Sequence, residues 1–140
     1  MTYVLKSPEQ VLRAALLADA EFSADVGTRV YPVLGPASAA LPFATYRRTS
    51  VQREHSLSGP VGVPSVTVAF DLFSETYEGA RELADKARMV LDGYGDTLDD
   101  VEVKHVTLEN EVDGYVQLAG GDLPPVYSVT QYYSVLWQET

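Results

Sequence analysis

The chain has 140 residues, no cysteine, 46% hydrophobic and 21% charged residues, and a formal net charge of −10. That length and composition suit one globular domain with a core of its own. The absence of cysteine excludes a disulfide scaffold, a thiolate metal site and a cysteine nucleophile. The acid surplus is the reverse of what nonspecific nucleic-acid binding requires, so no direct sequence-specific nucleic-acid partner is expected.

The opening MTYVLKSPEQ has no charged run followed by an apolar stretch, and no signal peptide is expected. No apolar run approaches the ~18–20 residues of a membrane span, so no membrane partner is expected either. A first helix starts at Ser7 and Pro8. Ser7 is placed to cap, Pro8 suits the first helical position, and Gln10 completes a capping box. Val11, Leu12, Ala15 and Leu16 form its apolar stripe. Gly27 then ends a short turn, and residues 29–31 read as a short strand.

The stretch PVLGPASAALP at 32–42 reads as a surface loop, and residues 43–51 as a strand rich in aromatic and β-branched side chains. QREHSLSGPVGVP is a turn-rich connection. Residues 65–74 alternate so that Val66, Val68, Phe70 and Leu72 share one apolar face. A second helix is expected over 76–91, with Ala80, Leu83, Ala84, Ala87, Val90 and Leu91 at helical spacing. Glu82 and Lys86 are ordered for an i,i+4 pair, and Gly93 suits the C-terminal cap.

YGDTLDD reads as a loop. Residues 101–108 read as a strand that can continue to Tyr115 through a bulge near 109–111, and LAGGDLPP as a turn. The last strand, 126–138, carries large residues on both faces, which places it inside a sheet. The order of elements predicts a single α+β domain over 1–140: a mostly antiparallel sheet of about four to five strands with two helices packed on one face.

Chemistry is sparse. His55 lies beside Glu54 and Ser56, but no nucleophile elbow surrounds any serine. Asp92, Asp96, Asp99 and Asp100 match no EF-hand spacing, and GPVGVP and GGDLPP lack the lysine and helix start of a phosphate loop. No catalytic residue, cofactor or metal is therefore assigned. Two rival classes stay open: a dimeric small-molecule-binding α+β module, and a metal-assisted hydrolase built on Asp92–Asp100 and His105.

Charge is divided unevenly. Residues 1–70 carry a net +1 and residues 71–140 a net −11, with much of the acid between Asp92 and Asp113. Such a run ordinarily just faces water. The alternative is an acidic edge of one protomer meeting an arginine-bearing face of another, a head-to-tail contact of the kind that closes rings. Arg47, Arg48 and Arg53 are the basic cluster, with cross-strand ion pairs as their ordinary reading and an interface as the other. Glu54, His55, Tyr132 and Trp137 complete the expected interface set, since aromatic residues and arginine are enriched at subunit contacts.

The succession VLRAALLADAEFSADVGTRVYP, LPFATYRR, EHSLSGP, SVTVAFDLFSETYEGARELADKARMVLDG, ENEVDGY and VYSVTQYYSVLW resembles the small tail-completion family of long-tailed phages and related particles. These are the tail terminators or head-to-tail joining proteins. The resemblance spans essentially the whole chain, and no single motif in it is catalytic. It implies a non-enzymatic virion protein, assembled in the host cytoplasm and located in the tail. It implies a homo-oligomeric ring, typically hexameric, at the head-proximal end of the tail tube. It implies a tail-tube protein and a head–tail connector protein as partners. A head-closure or other minor tail subunit is the nearest alternative within that class.

Overall fold

The computed structural model describes residues 8–33, 41–52, 55–56, 59–60, 65–98, 101–116 and 126–139. Helix α1 (Pro8–Ala18) begins at the proline that the sequence assigns to its first position, and Ser7 lies outside the described residues. Residues 20–26, which the sequence suggests as a turn, form a second helix, α2 (Ala20–Val26). Asp19 caps it by accepting the Phe22 N–H at 2.9 Å. Gly27, at φ +61°, closes it with its N–H on the Ser23 carbonyl. Phe22 and Val26, one turn apart, are both fully buried, so tertiary packing sustains a helix too short to stand alone.

Strand β1 (Val30–Pro32) precedes β2 (Phe43–Gln52). A small two-stranded ribbon of β3 (His55–Ser56) and β4 (Gly59–Pro60) lies within the turn-rich connection. Next come β5 (Ser65–Ser74) and α3 (Tyr77–Leu91), the latter capped by the Thr76 hydroxyl on the Gly79 N–H. The loop expected after α3 contains a short strand, β6 (Asp96–Leu98). The hairpin strands β7 (Val101–Val116) and β8 (Val126–Glu139) finish the chain, and the LAGGDLPP turn lies outside the described residues.

The main sheet has the order β1-β2-β5-β8-β7-β6. Only β1–β2 is parallel; every other pair is antiparallel. The α+β class is as the sequence predicts, and three-residue strands at the two edges bring the sheet to six. Strand β8 is central, as its two-sided pattern requires. β7 runs continuously through bulges at Lys104 and Glu109.

The register fixes two faces. Val66, Val68, Phe70 and Leu72 of β5 lie beside Val135, Tyr133, Gln131 and Val129 of β8, and beside Ala44, Tyr46 and Arg48 of β2. All three helices pack on this face. Val11, Leu12 and Leu16 of α1, Phe22 and Val26 of α2, and Ala80, Leu83, Ala84, Ala87 and Leu91 of α3 join it in one core. Phe70 sits at the middle, with the rings of Tyr46 and Tyr133 each 6.0 Å away. Lys86 of α3 ties the helices together, 2.6 Å from Asp25 of α2 and 3.3 Å from Glu82 one turn back.

Candidate functional site

The opposite face carries no helix among the described residues. Phe43, Thr45, Arg47 and Ser50 of β2 line it with Thr67, Ala69, Asp71 and Phe73 of β5. Ser128, Thr130, Tyr132, Ser134 and Leu136 of β8 follow, then His105, Thr107, Asn110 and Val112 of β7. Hydroxyls dominate. β-branched threonines hold a flat strand and still offer a donor and an acceptor to a partner.

Asp71 is the anchor of this face. Arg47 Nη1 donates to its Oδ2 at 2.5 Å, Thr130 Oγ1 donates to its Oδ1, and Thr45 Oγ1 lies 3.5 Å from Oδ2. The carboxylate is thus held across three adjacent strands, and its charge is neutralised within the chain.

The expected interface residues separate. Arg47 and Tyr132 lie on the open face, with Tyr132 half-buried between its neighbours. Arg48 points to the helix side, because the face alternates along the strand. Its Nε and Nη2 reach Glu9 Oε1 of α1 at 2.9 and 2.8 Å, which explains how Glu9 is tolerated in a nearly buried position. His55 belongs to β3, away from the main sheet's register. Arg53 and Glu54 lie outside the described residues.

Trp137 corrects the expectation of a displayed aromatic. Its register partner is Val103, on the helix-covered face, and it is 2% exposed in the core. Its indole N–H finds no acceptor among the described residues. A strand with large residues on both faces contributes one set to the core, and here that set includes the tryptophan.

The acidic stretch is largely satisfied from within. Arg81 of α3 donates to Glu111 and, at 3.3 Å, to Asp113. The hydrogen bond to Glu111 holds the Arg81 guanidinium above its usual value. Tyr77 OH donates to Asp113 at 2.8 Å, and that bond raises the tyrosine pKa. Asp92 accepts the Leu108 N–H at 3.0 Å, joining the end of α3 to β7, while Glu102 pairs with Lys104 at 3.3 Å.

Sequence reasoning did not find the polar group inside the core. Gln131 is fully buried. Its Nε2 donates to Ala84 O and Glu111 Oε2, each at 2.9 Å, and its Oε1 accepts from Tyr133 OH at 2.7 Å. Burial drives the Tyr133 pKa far above the ordinary tyrosine value. The one sequence signal was a glutamine inside the apolar parity of Val129, Tyr133 and Val135.

His105 is exposed on the open face, and no group of three or more His, Asp or Glu side chains among the described residues is placed to hold a metal ion. Among the described residues, the arrangement offers surface: a hydroxyl-rich face and a sheet edge at β7. Tyr115, 67% exposed, and Tyr77, 45% exposed, flank that edge.

Residues 10–123 match the family described as Tail completion protein gp17. Among solved structures, a chain of the "Virion of native gene transfer agent (GTA) particle" shares the fold with a TM-score of 0.72. It is 16% identical, and the match covers 91% of each chain. Among curated proteins no relative matches. The chain belongs to the tail-completion protein family and is a structural protein of a phage-type virion tail.

Proposed function

We propose that this protein closes a homo-oligomeric ring, six-membered, at the head-proximal end of the tail tube. The ring stops tube polymerisation and presents the surface on which the head connector docks. The family match over residues 10–123 carries this reading. The architecture supports it. A subunit whose two edges differ associates head-to-tail, and such contacts close when the rotation divides a full turn. Six copies of a weak contact then make a strong joint to tube and connector.

The open sheet face, with Arg47 and Tyr132 on it, is the surface we assign to the tail partners. Its hydroxyl-rich, charge-balanced chemistry suits contacts that form once per particle by avidity. The role is structural and needs no catalysis.

Native mass spectrometry of the purified chain, alone and with the tail-tube protein of its particle, tests the reading. A closed ring, in either condition, is the expected result. A monomer or a simple dimer in both, without binding to tube, overturns it.

A further inference from the structure

The two outer strands of the sheet each pair with only three residues of their neighbour. β1 pairs only with residues 44–46 of β2, and β6 only with residues 101–103 of β7. Among the described residues, the outer edges left over are residues 47–52 of β2 and residues 104–116 of β7. On β7, Val106 O accepts the Gly93 N–H at 2.7 Å and Leu108 N–H donates to Asp92, so the turn after α3 covers that part. Past the bulge at Glu109, the Glu111 N–H is taken by Asn110 Oδ1 at 2.9 Å and not by β8. Alternation from that residue turns the backbone of Glu111, Asp113 and Tyr115 outward. Among the described residues nothing pairs with the outward backbone at Asp113 or Tyr115.

We propose that a second copy of this chain fills that edge, with its β2 residues 47–52 pairing against β7 residues 109–116 as a continued sheet. The proposal rests on the ring reading above and names its subunit contact. Two observations carry it. First, acid is in excess at one edge alone. Residues 109–116 hold Glu109, Glu111 and Asp113 against the single guanidinium of Arg81, whereas Arg47 and Arg48 of β2 are matched by Asp71 and Glu9 respectively, so β7 against β7 is the less favourable pairing and a head-to-tail contact is preferred.

Second, the strand sense fits. β2 is antiparallel to β5, β5 to β8 and β8 to β7, so β2 runs antiparallel to β7. Copies related by rotation about a ring axis inclined to the strands keep the same strand sense, and they then meet as an antiparallel pair. The open stretches lie at opposite ends of the sheet, so neighbouring copies are staggered along the strand direction, and the inclination of the strands to the axis lets such a stagger close. Tyr115 and Tyr77 sit beside the edge as exposed aromatic contact area.

The test uses the natural absence of cysteine. Thr49→Cys and Tyr115→Cys are combined in one chain and treated with a bismaleimide of about 8 Å, too short to act within a chain, since three strand spacings of ~4.8 Å separate β2 from β7. The expected result is a covalent ladder ending at the subunit number of the non-covalent ring, with each single variant remaining unlinked. Tyr115→Pro, which removes one outward N–H, is expected to abolish the ring and leave the melting curve of the monomer unchanged. Rings in the wild type combined with an unlinked double variant, or Tyr115→Pro rings equal to wild type, overturn the edge contact alone. A wild type that forms no ring, with or without tube protein, overturns the edge contact and the ring reading together. If Tyr115→Pro does not fold, the cross-linking result decides.

Discussion

One sheet presents two unlike faces built from alternate residues of the same strands. On β5, Phe70 is fully buried under α3, while its neighbour Asp71 faces the open side and holds Arg47, Thr45 and Thr130. On β8, Tyr133 is buried and Tyr132 is only half so. The covered face is apolar apart from the Tyr133–Gln131–Glu111 chain and the Arg48–Glu9 pair. The open face is hydroxyl-rich and bound by short polar contacts. Stability resides mainly in the first, and the proposed contacts use the second and the β7 edge. Period-two alternation lets ten residues serve both purposes without compromise.

The largest effect should fall on the covered face. Phe70→Ala removes the ring between Tyr46 and Tyr133 and should cost ~3–5 kcal/mol in denaturant titrations of the monomer. A loss under ~1 kcal/mol would mean that the two faces share the load. Asp71→Ala comes next. It leaves Arg47 without its carboxylate and two threonine hydroxyls without an acceptor, and about 1–3 kcal/mol is expected from the same titration.

Tyr133→Phe removes the donor to Gln131 and should cost ~1 kcal/mol at neutral pH. It also sharpens the pH dependence. Folding raises the Tyr133 pKa, so the folded state retains a proton that the unfolded state loses near pH 10. The stability this tyrosine contributes is full below pH 10 and declines as pH rises above it. Denaturant titrations between pH 8 and 11 should show that decline weakened in the variant. Tyr46, Tyr94 and Lys86 are also raised and act in the same direction, so some decline persists.

The smallest effect belongs to the open face. Val112→Thr, at a residue 48% exposed beside Thr130, should change monomer stability by less than about 0.5 kcal/mol. A marked loss of stability there would show that the open face is covered by residues of its own chain.

Much of this fold was legible from local pattern. The strand at 65–74, the helix at 76–91 with its Glu82–Lys86 pair, and the interior place of 126–138 all follow from periodicity and pair spacing that act over a few residues. β1, α2 and β6 carry weaker signals, because each is too short for periodicity to speak. Packing of Phe22 and Val26 sustains α2, and pairing with β2 and β7 sustains the two edge strands.

The sequence by itself determined the α+β class, the parity of the central strands and the imbalance of charge between the two halves of the chain. Only the tertiary structure decided how those charges are used. Arg48 found Glu9 thirty-nine residues away, and Arg81 found Glu111 and Asp113 thirty and thirty-two residues away. It also turned Trp137 inward. The physical reason is range. Propensity, capping and alternation are set by neighbours along the chain, whereas ion pairing, burial and strand partnership depend on which distant residues the fold brings within a few ångströms.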